Sequence, residues 1–266
     1  MKKSFTSGFR AFSSEFVLRI TWHSVKCKSL LTVLVILCLG SSAKAVTRTW
    51  DNGGGDGLWS NAANWSGNVA PTSADAVVFN GTSTANCAMD VSPTVQSITM
   101  AVAYTGVLSL GANTLTLTSA LTVNAAAQLD AGTSLVNFSG TVTINSAASL
   151  YNLEIIGNGN IIYSQDLTVN NTLTITSVYR MQGGNQIQVS GDVVINDAWD
   201  EYASICTVSL RGSTNQTISG SGIASYLDVS KSGGDVLLTD NLELGNSGEL
   251  SGSGLLKNTG GIVKVV

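Results

Sequence analysis

Three tryptophans, Trp50, Trp59 and Trp65, stand within sixteen residues of one another. Flat indole rings at that density could stack on sugar faces and form a carbohydrate-binding platform. They could equally close the end of an aliphatic core, because each large aromatic buries roughly 150–250 Å² and an open solenoid end needs covering. The end cap is the expectation and the sugar platform the alternative. Between the first two rings runs Asp51-Asn52-Gly53-Gly54-Gly55-Asp56-Gly57. Its oxygens are of the kind Ca²⁺ takes, but the spacing is not that of an EF-hand loop, so a solvated turn is expected. Further on, Asp192, Asp197, Asp200 and Glu201 gather around Trp199. Two carboxylates can run glycoside hydrolysis, and Arg180 and Arg211 are the nearby cations. An acidic loop gives the same signal, so no catalytic set is expected. Two threonine runs, Thr114/Thr116/Thr118 and Thr172/Thr174/Thr176, could present a flat face to ice or crystalline polysaccharide. That requires both runs on one face in adjacent coils. Threonine is also simply the polar residue best suited to strands.

The N-terminus narrows the possible chemistry further. Leu30 to Leu39 is a ten-residue apolar run broken only by Thr32, with Lys26 and Lys28 before it and Ala43-Lys44-Ala45 after it. A basic region, a short apolar core and an A-x-A site describe a secretory signal peptide over 1–45. Ten residues are too few for a bilayer of about 30 Å, so no stable membrane span is expected after cleavage; an uncleaved anchor is the alternative. Removal of this leader takes the only histidine, His23, and leaves six basic and sixteen acidic residues, a net charge of −10. Imidazole-based catalysis and histidine metal sites are thereby excluded from the remaining chain. A basic footprint for nucleic acid is missing. Two cysteines, Cys87 and Cys206, make neither a zinc site nor a disulfide framework. No cofactor and no metal is expected.

These residues need elements to hold them. The block 46–80 is rich in Trp, Gly and Asn and reads as loops. From about Asp75 onward, short segments alternate apolar with Thr, Ser or Asn: Thr114-Leu115-Thr116-Leu117-Thr118, Leu167-Thr168-Val169, Thr172-Leu173-Thr174-Ile175-Thr176. Period-2 alternation of this kind marks half-buried strands, and no helical stripe appears. A longer similarity links Leu153-Glu154-Ile155 with Leu227-Asp228-Val229, Leu167-Thr168-Val169 with Leu242-Glu243-Leu244, and Val136 to Gly140 with Val208 to Gly212, an internal repeat with an offset of about 74 residues. The chain therefore reads as all-β. A parallel β-helix over 81–266, with coils of roughly 20–25 residues stacked about 4.8 Å apart, is preferred to repeated β-sandwiches. Cys87 and Cys206 would then lie about five coils, roughly 25 Å, apart. A disulfide needs Cα atoms within about 7 Å, so both thiols are expected to be unpaired.

Trp50-x8-Trp59-x5-Trp65, followed by Pro71, Asp75 and Val77-Val78-Phe79, together with Tyr151 to Ile155 and Asp166 to Asn170, resembles the bacterial surface and adhesin-like proteins of the autotransporter-associated β-strand repeat type. The resemblance implies a right-handed parallel β-helix, an exported protein and a structural or adhesive role without catalytic residues. Autotransporters also carry a membrane barrel of alternating strands of about ten residues. The stretch after Gly260-Gly261 does not begin one, which leaves a short secreted member or a piece of a longer chain as the expectations.

The functional expectation is an exported, non-enzymatic solenoid acting as a cell-surface structural or adhesive module. Its partners would be surface polysaccharide or a host or neighbouring cell surface, not nucleic acid. The alternatives are a polysaccharide-active β-helix enzyme and a carbohydrate- or ice-binding module.

Overall fold

A computed structural model describes residues 45–125, 128–146, 148–157, 159–198, 206–254, 256–259 and 263–265. The expected leader lies outside the described residues apart from Ala45, as do Trp199, Asp200 and Glu201. Alternation in the sequence becomes alternation in burial. In Leu135–Phe138, Asn152–Ile155 and Gln186–Val189 every second side chain is buried and its neighbours face outward, as successive Cβ atoms on a strand must. The one helical element among the described residues is a 3-10 turn, Ala62–Asn64, capped by the Asn61 side chain.

The strands stack as a β-solenoid. Its main sheet runs in the order Thr47–Thr49, Ala76–Phe79, Thr94–Met100, Thr114–Val123, Leu135–Phe138, Asn152–Ile155, Leu173–Ile175, Val193–Ile195, Gln216–Ser219, Val236–Leu238, Leu256–Asn258. The long strand Thr114–Val123 forks: its first half pairs with Leu135–Phe138 and its second with Val142–Ser146. A second sheet stacks Leu167–Val169, Gln186–Val189, Thr207–Leu210, Ile223–Val229, Leu242–Ser251 and Val263–Val265, and a third holds three two-residue strands beginning at Cys87–Ala88. Every strand pair in these sheets is parallel. A β-sandwich is built from antiparallel sheets, so that alternative is set aside.

The spatial period is one coil. Leu153 pairs with Leu173 and Leu173 with Val193, the same length of chain each time. The return from Leu135 to Asn152 is shorter and that from Val193 to Ile218 longer, so the turns absorb the differences while these rungs keep their register. The long internal repeat of the sequence is not this period. It matches Leu153 on the main sheet with Leu227 on the second, because both strands carry the same alternation.

Inside, like stacks on like. Ile155, Ile175 and Ile195 follow one another up the ladder, all fully or almost fully buried. Burying such a side chain contributes about 1.5–3 kcal/mol. At the turns, side chains tie each coil to the one before. Asn113 and Asn124 donate to the carbonyls of Met89 and Met100, both at 2.6 Å. Asn185 reaches Tyr163 O at 2.8 Å. Beside it, Gly183 has φ +129, and a Cβ there would overlap the Tyr163 carbonyl oxygen of the coil below. Only glycine allows both the conformation and the close approach.

Candidate functional site

The tryptophan block is built into the ladder. Thr47–Thr49 and Ala76–Phe79 pair as rungs, and the chain between them folds inward across a bridge joining Trp50 and Trp65. Trp50, Trp59 and Trp65 are 0–1% exposed. Trp65 packs edge-on against Trp50 at 5.0 Å and Trp59 at 4.8 Å, and against Phe79 at 5.8 Å. The indole N–H groups of two of them are satisfied internally: Trp65 Nε1 donates to Trp59 O at 2.7 Å and Trp50 Nε1 to Ala85 O at 3.0 Å. In this structure the rings are core, and none offers a face to a sugar.

The Gly-rich loop directs its oxygens at itself. Asp51 Oδ1 accepts from Gly53 N and Asn52 Oδ1 from Gly57 N. Asp56 accepts from Leu58 N at 3.1 Å, Asn64 Nδ2 at 2.6 Å and Asn61 Nδ2 at 2.7 Å. The Leu58 amide, then Asn64 and Asn61, hold its carboxyl below the usual carboxylate range. These groups organise the turn around Trp59. Among the described residues no group of three or more His, Cys, Asp or Glu could hold a metal ion.

Asp192 and Asp197 also serve the backbone. Asp192 Oδ1 accepts from Thr217 N at 2.7 Å on the next coil, and Asp197 Oδ2 from Val178 N at 2.9 Å. The threonine runs share the main sheet's outer face but not adjacent coils. Thr116 pairs with Asn137, Asn137 with Glu154, and Glu154 with Thr174. Two strands, one bearing a carboxylate, separate the runs, and Thr176 Oγ1 donates to Glu154 at 2.7 Å. No continuous threonine face is formed by them.

Two polar constellations stand out that the sequence alone does not single out. Asp75 is buried and clasps the first strand. It accepts from Val46 N at 3.1 Å, Thr72 N at 2.9 Å and Thr72 Oγ1 at 2.8 Å, with Arg48 Nε at 3.5 Å. Burial pushes its carboxyl up, and the Thr72 and Val46 donors with Arg48 outweigh that and hold it low. The second constellation crosses the outer face of the second sheet. Asp228 accepts from Ser209 Oγ at 2.6 Å and Ser230 Oγ at 2.7 Å, and pairs with Arg211 at 3.3 Å. Arg211 also donates to Gln186 Oε1 at 3.1 Å. Burial raises the Asp228 carboxyl, but Ser209, Ser230 and Arg211 bring it below the usual range. A signal for this cluster exists in the sequence: Ser209 and Asp228 are one coil length apart, so they fall on neighbouring rungs.

Cys87 and Cys206 are free and buried. Burial pushes both thiols up, Cys206 to about 12, with nearby Asp90 and Asp166 adding to the effect. Such thiols are poor nucleophiles and metal ligands. No helix among the described residues is long and apolar enough to cross a membrane. Comparison of the chain with protein-family models, with curated proteins and with solved structures returns no match.

Proposed function

We propose that the protein is exported and acts as a non-enzymatic structural or adhesive module at the cell surface. The supporting observation is the ladder itself. From Leu153 to Leu173 to Val193 it repeats the same step, and it holds outward polar side chains in rows on a hydrogen-bonded frame. Side chains fixed in this way engage an extended partner through many weak contacts, which add strongly when geometry lets them bind together. Export is read from Lys26, Lys28, the apolar run and Ala43-Lys44-Ala45. The Trp-rich opening and the strand repeat, which resemble the autotransporter-associated β-strand repeat proteins, point the same way. Surface polysaccharide or a neighbouring cell surface is the partner in this reading.

The test has two parts. Mass spectrometry of the protein recovered from an exporting bacterial host reports whether cleavage follows Ala45. Co-sedimentation with insoluble polysaccharides and with whole cells follows, and the supernatant is assayed for new sugar ends. Retention without release supports adhesion. Release of sugar ends replaces it with a polysaccharide-active enzyme. Export with neither result leaves a purely structural rod.

A further inference from the structure

We propose that removal of the leader completes the Asp75 clasp: cleavage after Ala45 turns the Val46 amide into an α-ammonium, which takes the Asp75 carboxylate as its counter-ion and secures the first strand. The inference rests on the export reading and gives its processing step a structural effect. The position of the cut carries it. Ala45 is exposed and precedes the ladder, whose first strand starts two residues on, at Thr47. Between them, Val46 is held at both ends of its backbone. Its carbonyl accepts from Ala76 N at 3.0 Å, and its N–H donates to Asp75 Oδ1 at 3.1 Å. The nitrogen that a leader peptidase would free is therefore already seated on a carboxylate.

That carboxylate is short of positive charge. Asp75 is 2% exposed, and a buried charge is costly unless it is paired and hydrogen-bonded. The cation beside it is Arg48, whose Nε stands 3.5 Å from Oδ2 and is itself buried without a hydrogen-bond partner. Arg48 Nη1 donates elsewhere, to Ser66 O at 3.3 Å. Thr72 gives two neutral donors to Oδ2 and leaves Oδ1 to Val46. In the uncut chain that last donor is a neutral amide. Hydrolysis adds water across the Ala45–Val46 bond: the oxygen ends on the Ala45 carboxylate, and the Val46 amine takes up the proton released. The same nitrogen then carries a positive charge, and a charge-assisted bond is roughly twice as strong as a neutral one. Val46 is exposed, so the remaining ammonium protons face water. A cut one residue away would move the charge by about 3.5 Å, out of reach of Oδ1.

The pairing fixes the pH dependence. Asp75 and, across its carboxylate, the Arg48 guanidinium are the charged groups at this nitrogen. Pairing with Asp75 raises the ammonium above its unfolded value of about 8. Its contribution is then fully present below that value, while Asp75 is ionised, and is lost as pH rises through the folded value.

The test compares processed proteins from an exporting bacterial host, each with its N-terminus read by mass spectrometry. One is the wild type. A second carries two serines inserted after Ala45, so that Val46 N is an amide again after cleavage. The same pair is made with Asp75→Asn, which closes a double-mutant cycle. At about pH 6.5 the wild type should melt about 2–4 °C above the insertion form. The gap should close above about pH 10 and be absent from the Asp75→Asn pair. Equal melts at the lower pH, a gap that persists at the higher one, or a gap that survives Asp75→Asn overturns the proposal. If Asp75→Asn does not fold, the pH comparison decides alone. Export with cleavage at another bond removes this inference and keeps the export reading; failure of export removes both.

Discussion

The first described coil and the coils from Leu153 to Val193 solve the same problem differently. The first takes a long path from Thr47 round to Ala76, and fills its interior with three indoles, whose N–H groups also need hydrogen-bond partners. The later coils return sooner and stack leucine, isoleucine and valine in register on the main sheet, side chains with no polar atom of their own to satisfy. The aliphatic ladder is made by repetition and tolerates local variation in its turns. The aromatic coil is made once, with each ring shaped to the next, so no neighbouring coil can stand in for a lost part. The difference should appear as unequal sensitivity to comparable deletions.

Trp65→Ala is the strongest way to break the comparison. It empties the centre of the cluster and removes the bond to Trp59 O, so a loss of about 3–5 kcal/mol is expected in urea unfolding. Leu173→Ala in the ladder should cost about 2–4 kcal/mol, less because neighbouring rungs can close toward the gap. An equal or greater loss at Leu173 would show that the aromatic coil has no special standing.

Asp75→Asn tests how the first strand is held. Removing hydrogen bonds to a buried charge costs about 1.5–3 kcal/mol. The folded state depresses this carboxyl, so its contribution is fully present above the unfolded value near 4 and is lost as pH falls through the lower folded value. Thermal melts of the wild type should therefore drop in acid more steeply than those of the variant. Parallel slopes would remove Asp75 as the acid-sensitive clasp.

Tyr163→Phe runs in the opposite direction. Tyr163 is an aromatic within the ladder, and its hydroxyl is buried without a hydrogen-bond partner. The variant should gain about 1 kcal/mol, since an unsatisfied buried hydroxyl costs that much or more; a loss would reveal a partner for it. The mildest test leaves the chain unaltered. Cys87 and Cys206 should resist iodoacetamide at mildly alkaline pH in the native protein and react once guanidinium exposes them; prompt native labelling would mean that their coils open readily.

The strands are legible in the sequence because alternation is local. Leu167-Thr168-Val169 and Thr114 to Thr118 are strands with the expected residues inside. Which strand lies on which is not legible, because turn length sets it, and turns here range widely, with register shifts inside the ladder at Val95/Ser97 and at Ala224/Tyr226. For that reason the threonine runs fall on one face yet with two rungs between them, and the long internal repeat joins Leu153 with Leu227 across two sheets but Leu167 with Leu242 within one. The tryptophans are legible as a cluster but not as to facing: indole density is the same for a platform and for a core. Only the fold shows that Ala85 and Trp59 carbonyls wait inside for their N–H groups. Asp75 is legible as part of the Trp-rich opening but its role as a clasp is not, because its donors, Val46 and Thr72, stand on both sides of the tryptophan block. Arg211 and Asp228 come together only when the coil length is known.

The parallel ladder has a mechanical consequence. Its backbone hydrogen bonds run along the solenoid axis, so a pull along that axis loads successive rungs in series. A flat sheet pulled along its strands resists by shear of many bonds at once; this one peels. Each coil of about 20 residues, once released, would add about 70 Å of extended chain, and force–extension traces should show steps of that size. A tether of this kind yields in increments, absorbing a sudden load coil by coil before the whole fold is lost.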